Sequence, residues 1–135
     1  MVNIEEIRHR LSEIKEGLTY LSSAQGEISV NRESFLLGRY FLQIMLEAVF
    51  TIGNQIISDA GFRKPGSYRD ILLVLKDTKV LPEELIAKLL PYADLRNRLV
   101  HTYWKISPEE LLEICRDLSA FEDYVKIVVE YIAVK

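Results

Sequence analysis

Cysteine is nearly absent from this chain: Cys115 stands alone among 135 residues. Neither an internal disulfide nor a cysteine-rich metal centre can form from it, and a reducing, cytoplasmic setting is expected. Histidine is scarce as well, with His9 and His101 the two copies. No His, Asp or Glu cluster has the spacing of a metal site, so neither metal nor cofactor is expected. Positive charge is not in excess. Lys and Arg number 17 against 20 Asp and Glu, for a net charge of −3. A general basic coat for nucleic acid is thereby excluded, and any RNA contact falls to a local patch. An uninterrupted apolar run of about 18 residues is also missing. The richest stretch, Tyr40 to Ile57, is broken by Gln43, Glu47, Asn54 and Gln55. The start of the chain, Ile4-Glu5-Glu6-Ile7-Arg8-His9-Arg10, is charged where a signal peptide requires an apolar segment. A soluble protein without membrane contact is the expectation. Glycine-rich phosphate loops, Gly-x-Ser-x-Gly elbows, strand-like alternation and internal repeats are lacking too.

What the chain does have is helical periodicity. Its hydrophobic content of 49% supports a core, and residues 1–135 are expected to form one domain burying about two-thirds of its unfolded surface. Ile4, Ile7, Leu11, Ile14, Leu18 and Leu21 recur at spacings of three and four, one apolar stripe on a first helix. Asn31 is a cap for a second, running to about Ser58 with apolar cover too wide for one stripe. Gly61, Pro65 and Gly66 mark a loop, and Ser67 with Asp70 reads as a capping box opening a short third helix to about Asp77. Pro82-Glu83-Glu84 begins a fourth, which Pro91 should kink or restart. Ser107-Pro108-Glu109-Glu110 opens the last, whose inner face continues through Leu111, Leu118, Phe121 and Ile132. The expected fold is all-α: an up-down four-helix bundle with one additional short helix.

The chemistry is concentrated in Asp94-Leu95-Arg96-Asn97-Arg98-Leu99-Val100-His101-Thr102-Tyr103-Trp104. A guanidinium forks onto phosphate oxygens, and an imidazole moves protons near neutrality. Cleavage of a phosphodiester without a metal needs that pairing. The run Leu95 to Tyr103 resembles the Arg-x4-His-x-Tyr signature of the HEPN superfamily, specifically the HepT-like toxins of HEPN–MNT toxin–antitoxin pairs. Ile106 completes that pattern, and the long second helix, the Pro-Gly-Ser-Tyr-Arg loop and the final helix are similar as well.

The resemblance implies a metal-independent endoribonuclease that works as a homodimer, with two motifs facing one cleft. His101 would be the general base or acid for attack by the ribose 2′-hydroxyl, and Arg96 would stabilise charge on the phosphoryl oxygens. Tyr103 would be the residue to which an MNT nucleotidyltransferase antitoxin attaches AMP, silencing the toxin by charge and bulk beside the catalytic pair. Asn97, Arg98, Glu47 and Arg39 are the candidates for supporting the motif or contacting RNA. Arg39, Gln43, Glu47 and Asn54 fall within roughly 80° of one another on the second helix, and Glu47 is placed to pair with Arg96. Two readings stay open here. The stripe is either a cleft lining or a solvated strip, and the bundle is either a nuclease or a non-catalytic module that presents substrate to a nucleotidyltransferase. Trp104 reads as a seal for the bundle end, His9 as a solvated residue and Cys115 as inert core. On a regular helix Arg96 and His101 point to different sides; a helix end near His101 or cooperation between two subunits resolves that. Arg63, Lys64 and Arg69 are a second cationic group that can border an RNA track.

Overall fold

Local chemistry starts most of the helices. The computed structural model describes residues 3–135. Helix α1 (Ile4–Ser23) is capped by Asn3, whose side chain accepts the Glu6 N–H at 3.1 Å. The one-turn α2 (Gln25–Ile28) follows, an element the periodicity did not predict. Asn31 caps α3 (Arg32–Ala60), and Gly61 at φ 71° ends it in the left-handed region that suits glycine. Ser67 caps α4 (Tyr68–Asp77) through the Asp70 N–H at 3.0 Å. The reciprocal half of the expected capping box is different: the Asp70 carboxylate accepts from the Gly66 N–H at 2.9 Å and from Arg63.

Helix α5 (Glu83–His101) runs unbroken through Pro91, so the expected restart does not occur. Pro91 and Ala87, the residue whose carbonyl loses its partner, are both exposed; water can satisfy that carbonyl. A 3₁₀ turn covers Tyr103–Lys105. The last predicted helix is two, α6 (Pro108–Cys115) and α7 (Ser119–Ala133). Asp117 causes the break by accepting both the N–H (3.0 Å) and the hydroxyl (2.6 Å) of Ser119, a local turn that competes with helix.

The four-helix bundle expected from the sequence is otherwise present, built on α1, α3, α5 and α7. Helix α3 is its axis. By length and composition it is apolar enough to cross a membrane, yet here its Leu42, Met45, Leu46, Val49, Ile52 and Ile56 are buried among the other helices. Gly17 lets α1 approach it closely, since a methyl group there would overlap the Met45 side chain. From α7, the buried Tyr124 hydroxyl donates to the Val49 carbonyl at 2.7 Å. The side of α3 bearing Glu47 and Asn54 is only partly covered by these contacts.

Candidate active site

Arg96 is held from two other helices. Its Nε donates to Glu47 Oε1 on α3 at 2.7 Å. The guanidinium carbon lies 4.0 Å from the centre of the Tyr68 ring on α4, close enough for cation–π attraction. Phe50 holds Tyr68 in turn, edge to face at 5.3 Å. Three helices thus fix one guanidinium, whose side chain remains 15% exposed. Its other bond is a long one, Nη1 to Asn97 Oδ1 at 3.4 Å. Most of the five N–H donors of the fork are therefore left for a ligand.

His101 is the last residue of α5 and is exposed. The helix end anticipated from the sequence is there, since Thr102 leaves helical geometry at φ −138°, ψ 43°. That end does not close His101 onto Arg96. The helix is regular between them, which sets them about 140° apart around its axis. Within one chain no hydrogen bond joins the two.

Tyr103 sits on the 3₁₀ turn, 49% exposed. Arg39 reaches it from α3: its Nη1 donates to the Tyr103 carbonyl at 3.4 Å, and its guanidinium lies 5.0 Å from the ring centre. Trp104 meets Tyr103 edge-on at 5.4 Å and is 63% exposed. It does not seal the bundle end, and an indole open to solvent replaces the expected plug.

The charges around the motif differ from the sequence pattern in one respect. Folding sets Glu47 beside Arg96, as expected, and also Glu110 beside Arg98, which no spacing announced. Arg98 forks onto Glu110, with one arm at 2.9 Å, and ties α5 to α6. Arg63 is likewise engaged by Asp70, whereas Lys64 and Arg69 have no ion-pair partner among the described residues. His9 is exposed as expected. Cys115 is buried, and burial pushes its thiol pKa up, which keeps it unreactive. Among the described residues no group of His, Cys, Asp or Glu is arranged to hold a metal ion.

Beside the Arg96 clamp, α3 and the loop before α4 enclose a groove of about 430 Å³. Glu47 and Tyr68, the two partners of Arg96, form part of its wall with Phe50, Asn54 and Pro65. A second trough of about 320 Å³ continues from Asn54 and Pro65 to Phe62 and Lys64. Sequence reasoning missed Tyr68 as a site residue. Nothing in the spacing of a tyrosine 28 positions before Arg96 marks it; the docking of α4 on α3 creates the contact.

A family model described as ribonuclease HepT-like matches residues 4–128. The chain is 29% identical over 114 residues to the tRNA nuclease HepT of Aphanizomenon flos-aquae (strain 2012/KM1/D3), across 84% of this chain and 72% of that protein. It is 30% identical over 128 residues to YutE of Bacillus subtilis (strain 168), named there as a candidate RNase, across 92% of this chain and 81% of that one. The solved structure of YutE, described as a cytosolic protein of unknown function, superposes with a TM-score of 0.84 over 98% of this chain and 92% of YutE, at 27% identity. A Shewanella oneidensis HEPN toxin, solved tri-AMPylated in complex with its MNT antitoxin, superposes with a TM-score of 0.83 at 21% identity, over 96% of this chain and 99% of the toxin.

Proposed function

Because this chain belongs to the ribonuclease HepT-like family, we propose that it is a metal-independent endoribonuclease toxin, acting as a homodimer and restrained by an MNT-type nucleotidyltransferase. The observation that carries the reading is the Arg96 clamp. Glu47 and Tyr68, which themselves line an open groove, hold the guanidinium with donors to spare. Preorganised donors of this kind stabilise charge that develops on phosphoryl oxygens.

In the proposed reaction His101 takes the proton of a ribose 2′-hydroxyl, which attacks the adjacent phosphorus. The phosphorus–oxygen bond to the next nucleotide breaks, leaving a 2′,3′-cyclic phosphate and a 5′-hydroxyl. The leaving oxygen needs a proton, and His101 of a second copy supplies it. Two copies also answer the geometry, since Arg96 and His101 of one chain face different sides of α5. Leu36, Leu37 and Tyr40 are exposed on the same open length of α3 as Arg39, an apolar face suited to a second copy. AMP added to the exposed Tyr103 would fill the space above Arg39 with charge and a base. The kinship with a cytosolic relative supports a cytoplasmic location.

The test is RNA cleavage in EDTA by purified wild type, His101→Ala and Arg96→Ala, with the oligomeric state measured by light scattering. Cleavage is expected from the wild-type dimer alone. Equal cleavage by all three removes these residues as catalysts. An inert wild type that binds an MNT partner tightly favours the non-catalytic module.

A further inference from the structure

The groove next to Arg96 has a chemistry distinct from the clamp. Neither Lys nor Arg lines it, and the Glu47 carboxylate does, so it disfavours a phosphate. Its wall combines the Tyr68 ring, the Phe50 and Pro65 side chains and the polar groups of Asn54, Thr51 and Ser67. Such a surface suits a flat, uncharged group with hydrogen-bonding edges. Gln55 is already committed to Asp59 at 2.9 Å. Asn54 is exposed on α3 and has no hydrogen bond from its side chain among the described residues, leaving its amide free to donate and accept. Past Asn54 the trough reaches Lys64, a cation without an ion-pair partner among the described residues.

Alongside α3 the order is therefore guanidinium, a groove without cations, ammonium. Single-stranded RNA repeats the same order as phosphate, base, phosphate. We propose that this trough is a nucleotide subsite for single-stranded RNA. The base flanking the scissile phosphate sits against Tyr68 and is hydrogen-bonded by Asn54, and Lys64 takes the phosphate beyond it. A duplex is excluded as the ligand because its base edges are paired and its bases stacked on one another. The subsite rests on the ribonuclease reading and names part of its substrate contact.

The test measures binding, so that it is separable from catalysis. His101→Ala protein is titrated with a short fluorescein-labelled single-stranded RNA, and an abasic nucleotide is walked along the strand. One abasic position should weaken binding about tenfold, the scale of one base–aromatic contact, and it should adjoin the bond that wild type cuts. Adding Asn54→Leu should reduce that discrimination by removing the base's hydrogen bonds, while the share that the Tyr68 contact supplies remains. Lys64→Ala should lower the salt dependence by about 0.7 in the slope of log K against log salt. Discrimination undiminished by Asn54→Leu overturns the subsite, as does equal binding at every abasic position or no binding at all. If wild type cleaves RNA while abasic positions make no difference, the subsite falls and the nuclease stands. If wild type is inert but the abasic discrimination is found, the reverse holds.

Discussion

Removing Glu47 tests whether the Arg96 clamp is an energetic unit. The pair is neither buried nor free: the side chains are 15% exposed for Arg96 and 35% for Glu47, with a 2.7 Å bond between them. Exposed pairs contribute about 0–1 kcal/mol, and breaking a fully buried one costs about 3–5 kcal/mol. An intermediate site places the coupling at about 1–2 kcal/mol. Tyr68 contributes separately, because its face is 4.0 Å from the guanidinium and such contacts are worth about 0.5–2 kcal/mol. The assay is urea unfolding followed by far-UV circular dichroism for wild type, Glu47→Ala, Arg96→Ala and the double variant. Glu47→Ala should lose about 2 kcal/mol, since it leaves a guanidinium without its acceptor. The double variant should lose less than the sum of the singles by about 1–2 kcal/mol. Arg96→Lys should behave more like Arg96→Ala than like wild type, because an ammonium cannot fork onto Glu47 while lying flat on Tyr68. Losses that add to within about 0.3 kcal/mol would show that the two side chains are neighbours without coupling, and the clamp would no longer explain why Arg96 is preorganised.

Three further outcomes follow from the packing and charge around the site. Arg63 and then the Gly66 N–H hold the Asp70 carboxyl down at about 2, below the unfolded value of about 3.9. A depressed carboxyl stabilises the fold above its unfolded pKa and loses that effect as pH falls through its folded one. Thermal melts should show wild type ahead of Asp70→Asn by a steady margin above about pH 4, narrowing toward pH 2; a margin independent of pH would refute this. Tyr124→Phe removes the buried hydroxyl that donates to Val49 and should cost about 1 kcal/mol, read as a lowered midpoint in urea; an unchanged midpoint would mean that the bond contributes nothing net. Gly17→Ala should destabilise by about 1–2 kcal/mol despite alanine's better helix propensity, because its methyl meets Met45 and lies 3.3 Å from the Phe41 carbonyl. The same substitution should cost less when Met45 is also Ala, and an equal cost in both backgrounds would place the strain elsewhere.

Elements were legible in the sequence wherever their cause lies within a turn or two of chain. Asn31, Ser67 and Ser107 each cap the helix they precede, because a side-chain oxygen bonds an N–H three residues on. The spacing of Ile7, Leu11 and Ile14 announced a buried stripe for the same reason of short range. Where two local signals competed, periodicity misled. The apolar pattern runs from Leu111 past Cys115 to Phe121 without interruption, and the Asp117–Ser119 turn cuts it. Pro91 signals an interruption, and its exposure lets the helix pass through it.

The sequence by itself determined the helical bundle, the Arg-x4-His-x-Tyr motif and the pairing of Glu47 with Arg96 as an expectation. All of these depend on spacing along one or two helices. Tertiary structure alone decided that Tyr68 lies beneath Arg96, that Arg39 covers Tyr103 and that Arg98 is tied to Glu110. Those contacts join residues 12 to 64 positions apart. They exist because α4 and α6 dock on their neighbours at particular angles, which are set by the summed packing of the whole core and encoded in no single segment.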